Sequence, residues 1–379
     1  MMSDRAAPSV ATTIDPALRD ALAQVTDPEL HAGIVDLGMI GAARIEDGTA
    51  HVQLRLTIPG CPAARRLEAE TRAACEQVVG AGRVDLRVTV MDADERARLV
   101  ARLRGTRPLP GTPFSPGTAT KVLAVASGKG GVGKSTVTAN LAAALAAGGA
   151  AVGVVDADVY GYSIPGMFGI TTGPTRLDDM LLPPTAHGVR VMSIGMFVPG
   201  NQPVSWRGPM LARTLTQFLT DVHFGELDYL LIDLPPGTGD TAITLGQLLP
   251  NAHVLIITTP QSTAAQVAVR AGLLAHRMHQ RLAGVVENMS WIETPGGSFE
   301  LFGTGGGEQV AAELTAATGM TVPLLARIPL TRPLREASDD GAPIVVSDPT
   351  DPAAQALRAV AAAVAPRGGR HLGARPPRT

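Results

Sequence analysis

The spacing of apolar residues divides the chain into two parts, and the spacing changes near residue 120. In the first part, DPALRDALAQV and CPAARRLEAETRAACEQVV carry apolar residues at helical intervals, whereas GTAHVQLRLTI alternates like a half-buried strand. RVDLRVTVM has the pattern of a second strand, and Pro62 suits the first position of the helix that follows Cys61. These patterns predict a small α/β domain over residues 14–104.

Beyond residue 120 the apolar residues come in short continuous runs that are separated by helical patterns. The runs are KVLAVAS, AVGVVD, YLLIDLPP, HVLIITTP and LAGVVENM. Unbroken apolar runs of this length are typical of parallel strands that are buried on both faces. We therefore predict a doubly wound, mostly parallel α/β domain over residues 120–365.

The remaining segments have the composition of tails and linkers. We expect a flexible tail over residues 1–13, a proline-rich linker over residues 105–119 and a basic disordered tail over residues 366–379. The net charge of −2 gives no general attraction to nucleic acid or anionic lipid, and two cysteines suit a reducing cytoplasm. The longest nearly apolar run, residues 141–155, is shorter than the roughly 18 residues of a membrane span and is broken by Gly148 and Gly149. We expect a cytoplasmic protein without a nucleic-acid or membrane partner.

The clearest chemical motif follows the first of these apolar runs. Residues 128–135, GKGGVGKS, match G-x-x-x-x-G-K-[ST], in which backbone N–H groups surround phosphates at a helix N-terminus. Only three of the 32 basic residues are lysines, and two of them, Lys129 and Lys134, lie in this loop. Lys134 is expected to bind the β- and γ-phosphates, and Ser135 is expected to bind Mg²⁺. The predicted nucleotide-binding residues of the loop are Gly128, Lys129, Gly130, Gly131, Val132, Gly133, Lys134, Ser135 and Thr136.

Three aspartates lie at the ends of apolar runs, where ligands bind in sheets of this kind. Asp233 is expected to hold Mg²⁺ together with Ser135, and Asp156 is a further candidate ligand. Either Asp156 or Asp158 is expected to orient the attacking water, and the alternative is that both are helix caps or turn formers. No lysine follows Lys134, which excludes the N-K-x-D guanine motif, and we therefore predict ATP as the nucleotide.

With Lys129 in its second position, the loop resembles the deviant Walker A motif of the MinD, ParA and nitrogenase iron protein class. Within this class, SWRGPM, DLPPGTGD, TTPQ, ENMS and FGTGGG resemble the Mrp/ApbC family of iron–sulfur cluster carriers over residues 120–348. In the first part of the chain, TDPELHAGIVDLGMI and LTIPGCP resemble the small PaaD-like domain of iron–sulfur assembly factors.

The resemblance implies roles for individual residues and for partners. It implies a homodimer through the nucleotide face, in which Lys129 reaches the phosphates bound by the partner. Lys129, Lys134 and Asp158 are then the catalytic residues, with Asp158 positioning water and Asn288 touching adenine. The resemblance also implies apo iron–sulfur proteins and assembly factors as partners.

The chain departs from the family at the site of the cluster. Many members carry C-x-x-C after ENMS and bridge a [4Fe–4S] cluster with one pair per subunit, but this chain has WIETPGGSFEL there. Clusters are held by thiolates, and the remaining candidate is Cys61, at a predicted helix start where the dipole would lower its pKa. The alternative for Cys61 is a small turn residue, and Cys75 is predicted to lie in the core.

These observations predict an ATP-hydrolysing iron–sulfur cluster carrier that uses ATP and Mg²⁺, with slow turnover coupled to the dimer. The alternative is a MinD/ParA-like dimerisation switch that binds a partner without carrying a cluster. The segment DPAAQALRAVAAAVAP lacks the bulky apolar anchors of a membrane-targeting helix. The deviant loop argues against a metabolic kinase, because this class couples ATP to the dimer state.

Overall fold

The computed structural model describes residues 14–104, 114, 119–159, 161–198 and 208–365. The described residues form two units. Residues 14–104 and Arg176–Leu182 make up the first unit, and the other described residues make up the second. The two predicted tails, and the predicted linker apart from residues 114 and 119, lie outside the described residues.

The first unit contains a three-stranded sheet, a two-stranded ribbon and three helices. In chain order they are α1 (Pro16–Leu22), β1 (Thr26–Asp27), β2 (Ala32–Gly33), β3 (Ile40–Glu46), β4 (Thr49–Leu56), α2 (Ala64–Val79), β5 (Val84–Val90) and α3 (Ala93–Arg104). Strand β4 pairs antiparallel with β3 and parallel with β5. Residues of β4 alternate between half-buried and buried, which confirms the strand predicted from the alternating pattern.

Helix α2 begins two residues later than the sequence pattern predicts. Its first residue is Ala64, so the prediction that Pro62 opens the helix was wrong. The N–H of Ala64 donates to the carbonyl of Cys61 at 3.1 Å, and a turn therefore precedes the helix. The sequence pattern places Leu67, Thr71, Ala74, Cys75 and Val78 on one inward-facing stripe of α2. The first four are buried, whereas Val78 is 37% exposed.

The strands of the later part of the chain fall into one large sheet and two small hairpins. They are β6 (Lys121–Ser127), β7 (Val152–Asp156), β8 (Thr175–Leu177), β9 (Met180–Leu182), β10 (Thr185–Ala186), β11 (Val189–Ser193), β12 (Tyr229–Asp233), β13 (His253–Thr258), β14 (Arg281–Asn288), β15 (Ile292–Thr294), β16 (Gly297–Phe299) and β17 (Leu324–Ile328). The large sheet has the order β10–β11–β7–β12–β6–β13–β14–β17. Its pairs are parallel apart from β10 with β11.

Helices connect and cover these strands. They are α4 (Lys134–Ala147), α5 (Ile164–Met167), α6 (Gly208–Thr220), α7 (Asp240–Leu248), α8 (Ser262–Arg277), α9 (Gly306–Thr318), α10 (Arg332–Asp339), α11 (Ile344–Ser347) and α12 (Pro352–Val364). Every residue of β7 and β12 is buried, as expected for strands covered on both faces. The predicted mostly parallel α/β sheet is confirmed.

The order of the central strands places the predicted site residues at one edge of the sheet. Strand β12 lies between β7 and β6, and Asp156 and Asp233 are Cα partners at the ends of β7 and β12. The loop of residues 128–133 follows β6. Because parallel strands end at the same edge, this loop and both acids lie close together.

The hairpin of β8 and β9 belongs to the first unit, although it comes from the middle of the later sequence. The two strands pair with each other, and Arg176–Leu182 groups with residues 14–104. Leu177, Met180 and Leu182 are buried in the hydrophobic core of the first unit. The sequence pattern runs without a break from residue 120 to 365. It therefore does not predict that a segment of this range belongs to the first unit.

Candidate nucleotide-binding site

Glycines shape the loop between β6 and α4. Gly131 and Gly133 have φ angles of 79° and 80°, in the left-handed region that favours glycine. A Cβ atom on Gly128 would lie 2.2 Å from the carbonyl carbon of Val267 on α8, and one on Gly133 would lie 2.2 Å from Nδ2 of Asn288. The loop therefore needs glycine at these positions, both for its backbone conformation and for its close contacts with neighbouring elements.

Lys134 and Ser135, the first residues of α4, donate to the carboxylate of Asp233. Nζ of Lys134 and Oγ of Ser135 lie 2.7 and 2.6 Å from Oδ2 of Asp233, and Oγ1 of Thr138 lies 2.8 Å from Oδ1. Asp233 is fully buried. Burial raises the pKa of its carboxyl, and the Lys134 charge and the three donors act in the opposite direction. The structure thus brings together the three residues that the sequence assigns to phosphate and Mg²⁺.

Asp156 and Asp158 occupy different positions in this cluster. Oδ2 of Asp158 lies 3.7 Å from Nζ of Lys134, and its Oδ1 accepts from the N–H of Gly161 at 3.1 Å. Asp156 accepts from the N–H of Asp158 at 3.2 Å and from the hydroxyl of Ser193 at 3.0 Å. Burial, together with the nearby Asp233 carboxylate, raises the pKa of Asp156 to about 7. Asp158 therefore faces the lysine, whereas Asp156 holds its own loop together.

Lys129 and Asn288 both contact residues around the loop within the same chain. Nζ of Lys129 donates to Oε1 of Gln261 at 3.0 Å. Nδ2 of Asn288, at the end of β14, donates to the carbonyl of Val132 at 2.9 Å. Gln261 is the last residue of the TTPQ motif and Asn288 belongs to ENMS, so two of the motifs quoted above meet at this loop.

The ENMS and FGTGGG motifs meet at the buried carboxylate of Glu287. Its Oε2 accepts from the N–H of Gly307 at 2.7 Å, and its Oε1 accepts from Nε of Arg327 and Oγ of Ser290, both at 2.9 Å. A Cβ atom on Gly307 would lie 2.8 Å from Cβ of Glu287, which explains the glycine at the start of α9. This network fixes the end of β14, where Asn288 lies.

The oxygen atoms of Ser135 and Asp233 fit a Mg²⁺ ion. Hydroxyl and carboxylate oxygens are the hard ligands that Mg²⁺ takes, commonly together with waters and nucleotide phosphates. In the part of the chain that the structure describes, the side chains of His, Cys, Asp and Glu form no group of three or more that could hold a metal ion.

Cys61 lies in the first unit with 5% of its surface exposed. Burial raises the pKa of its thiol to about 11; the N–H of Ala63 opposes this shift and the Glu29 carboxylate adds to it. Sγ of Cys61 donates to Oε2 of Glu29 at 3.8 Å. The predicted lowering of this pKa was wrong, because α2 begins only at residue 64 and the loss of water around the thiol outweighs its backbone partner. Cys75 is fully buried, as predicted, and burial raises its pKa to about 11.

Comparison with known proteins identifies both parts of the chain. Residues 118–365 match the family described as NUBPL iron-transfer P-loop NTPase, and residues 15–86 match the family described as iron-sulfur cluster assembly protein. The chain belongs to the NUBPL iron-transfer P-loop NTPase family. The predicted resemblance to cluster carriers with an N-terminal assembly domain is thereby confirmed.

Individual proteins are similar to this chain over most of their own length. The iron-sulfur cluster carrier protein of Mycobacterium tuberculosis is 50% identical over 351 residues, which cover 92% of each chain. The one from Synechocystis is 40% identical over 357 residues, covering 92% of this chain and 96% of that protein. A nucleotide-binding protein of Archaeoglobus fulgidus, solved with ADP, is 38% identical with a TM-score of 0.50, covering 59% of this chain and 87% of its own.

Three polar residues of this P-loop NTPase site were missed by the sequence analysis. Thr138 follows Lys134 by four residues on α4, so helical spacing could have placed it beside Asp233. Gln261 and Glu287 lie inside the TTPQ and ENMS motifs, but no local pattern assigns them a contact.

In the described residues every helix is too short or too polar to span a bilayer.

Proposed function

We propose that the chain binds ATP and Mg²⁺ at residues 128–136, hydrolyses ATP slowly as a homodimer, and delivers iron–sulfur clusters to apo-proteins. The observation that carries the proposal is the convergence of Lys134, Ser135 and Asp233 in one hydrogen-bonded cluster at the sheet edge. Relatives that are 40% and 50% identical over 92% of the chain bear the name iron-sulfur cluster carrier protein. Their name supports cluster delivery as the purpose of the hydrolysis.

Lys134, Ser135 and Asp233 have distinct roles in the proposed reaction. Lys134 exchanges the Asp233 carboxylate for oxygens of the β- and γ-phosphates, which offer more negative charge to the same ammonium group. Ser135 and Asp233 would then hold Mg²⁺, either directly or through water. Bound there, Mg²⁺ would supply positive charge that stabilises the negative charge developing on the phosphates.

Asp158 is the proposed group that orients the attacking water. Its carboxylate lies within 3.7 Å of the Lys134 ammonium, which marks where the terminal phosphate binds. Asp156 accepts from one hydroxyl and two N–H groups, which suits a structural role at the end of its strand. Asn288 is proposed to contact adenine and Lys129 the phosphates bound by the partner, as the family resemblance implies.

The cluster is the proposed cargo, and Cys61 is its proposed ligand. A homodimer supplies two Cys61 thiolates, whereas a cluster commonly takes four ligands. Small thiols or the acceptor protein would supply the others, and we therefore expect a labile cluster. A second candidate function, the dimerisation switch without a cluster, is favoured by one observation: both cysteines are buried.

Replacing the two loop lysines one at a time tests the ATPase proposal. Lys134→Ala should abolish nucleotide binding or hydrolysis, because phosphate contacts worth about 2–4 kcal/mol are lost. Lys129→Ala should keep nucleotide binding but lose turnover and ATP-dependent dimerisation. Binding of a fluorescent ATP analogue, phosphate release and sedimentation measure the three properties. Wild-type turnover in Lys134→Ala would refute the ATPase role, and normal dimer-coupled turnover in Lys129→Ala would refute the role of Lys129 across the dimer.

A further inference from the structure

The Lys129 side chain is held by Gln261 of its own chain, whose backbone carbonyl caps α8 by accepting from the N–H groups of Ala264 and Ala265. Gln261 lies at the N-cap of α8, yet its side chain makes no capping hydrogen bond. Its Oε1 instead accepts from Nζ of Lys129 at 3.0 Å. The Lys129 backbone is held separately, because its carbonyl accepts from the hydroxyl of Ser127 at 3.1 Å.

The acceptor, the solvent and the helix dipole all weaken the hydrogen bond between Lys129 and Gln261. The acceptor is a neutral amide oxygen, and Lys129 and Gln261 are only half-buried, so water competes for the ammonium. The N-terminus of α8 also carries the positive end of the helix dipole, which disfavours a cation beside it. A phosphate would therefore displace Gln261 readily.

Only the side chain of Lys129 needs to move for such a release. Gly128 packs so closely on α8 that a Cβ atom would lie within 2.5 Å of three backbone atoms of Val267 and Ala268. This contact and the Ser127 hydrogen bond keep the loop backbone in place while Nζ swings away from Gln261.

We propose that Gln261 is a positioning residue that holds Lys129 in its own chain until a second copy offers bound phosphates. The hydrogen bond competes with the contact across the dimer, so it raises the protein concentration at which ATP-bound chains pair and turn over. This inference rests on the proposed function, specifically on the role of Lys129 in a nucleotide-bound dimer.

Two substitutions at Gln261 should act in opposite directions. Gln261→Ala removes the acceptor, and we expect half-maximal specific ATPase activity at a protein concentration about fivefold lower than in the wild type. Gln261→Glu creates a charge-assisted contact and suits the helix dipole, and we expect the midpoint about fivefold higher. The KM for ATP at saturating protein should stay unchanged in both variants, because Gln261 does not act on the chain's own nucleotide.

The matched controls are Gln355→Ala and Gln355→Glu in the first turn of α12. Gln355 is exposed and donates to the carbonyl of Thr350, so these changes repeat the same two substitutions near a helix N-terminus without touching Lys129. Neither control should shift the midpoint. Sedimentation of each variant with a non-hydrolysable ATP analogue gives the dimer fraction independently of turnover.

The Lys129→Ala background separates the inference from the proposal beneath it. Lys129→Ala is expected to form no ATP-dependent dimer, and the Gln261 substitutions should not restore one, because the group they act on is gone. A dimer that a Gln261 substitution restores in this background, or midpoints that move in the same direction for Ala and Glu in the otherwise wild-type chain, would overturn the role of Gln261 alone. Wild-type turnover that does not depend on protein concentration would overturn it together with the proposed dimer coupling.

Discussion

Asp156 and Asp233 are two buried acids that lie near the buried Lys134, and they differ in the groups that donate to them. Asp233 takes the ammonium of Lys134 and two hydroxyl groups, so its charge is well compensated. Asp156 accepts from one hydroxyl and two N–H groups and has no direct cation partner among its hydrogen bonds. Its pKa is raised to about 7 by burial and by Asp233, so the carboxyl is protonated over much of the acidic range.

The raised pKa of Asp156 predicts how stability depends on pH. Between its usual value of 3.8 and about 7, the folded chain holds a proton that the unfolded chain has released. The free energy of unfolding should therefore fall as the pH rises through this window, by up to about 1.4 kcal/mol per pH unit. Asp156→Asn stays neutral, so its stability should change less over the same window.

Urea unfolding of the nucleotide-free protein at about pH 5 and about pH 7.5 measures this difference. Asp340→Asn, an exposed acid on the same unit, is the control and should keep the wild-type dependence. Equal pH dependence in Asp156→Asn and the wild type would contradict the raised pKa.

At single positions, sequence reasoning succeeded where the chemistry is local. The spacing of Gly128, Lys134 and Ser135 and the strand-end position of Asp233 predicted a cluster that the structure assembles. The predicted low pKa of the Cys61 thiol was wrong. That pKa depends on burial by residues that are distant in sequence, and α2 begins three residues after Cys61. Partners reached through tertiary packing leave no local signal.

Among the elements, the hairpin of β8 and β9 has the most specific consequence for stability. Leu177 is fully buried in the core of the first unit. Asp178 and Asp179 at the turn form ion pairs with Arg96 and Arg104 of α3, with N–O distances of 3.5 and 2.7 Å. Exposed ion pairs contribute little stability. The buried apolar side chains of the hairpin therefore provide most of the free energy that keeps it in the first unit.

Leu177→Ala should therefore destabilise residues 14–104 although it lies far from them in sequence. A buried leucine replaced by alanine typically costs about 2–5 kcal/mol. Hydrogen exchange of the full chain should become faster within residues 14–104, where Ile45→Ala, an exposed change in the same unit, should have a small effect. Unchanged protection in residues 14–104 of Leu177→Ala would contradict the assignment of the hairpin to this core.

The long elements could be predicted from sequence and this hairpin could not. Strands such as β12 and β13 are continuous apolar runs with one interpretation, and α2 has an apolar stripe over several turns. Strands β8 and β9 have three residues each, which is too short for any periodicity to emerge. Their place in the first unit depends on the tertiary packing of Leu177, Met180 and Leu182 in its hydrophobic core, which local sequence does not show.

In the whole molecule, the two units carry the residues for two different parts of the proposed function, which are nucleotide hydrolysis and cluster binding. The second unit carries the P-loop and its acids, and the first carries both cysteines of the chain. A family of iron-transfer NTPases and a family of cluster assembly proteins match these two parts of the sequence. If the chain carries a cluster, the ligand should therefore be Cys61 and not a residue of the P-loop unit.

Anaerobic reconstitution of the full-length protein with iron, sulfide and glutathione would show whether Cys61 binds a cluster. The visible absorbance of the cluster and its transfer to an apo-acceptor would be read for the wild type, Cys61→Ser and Cys75→Ser. We expect a labile, transferable cluster on the wild type and none on Cys61→Ser, whereas Cys75→Ser should keep it and lose about 1 kcal/mol of stability through a buried hydroxyl. A wild-type protein that holds no cluster under these conditions would contradict the carrier account and leave the dimerisation switch in its place.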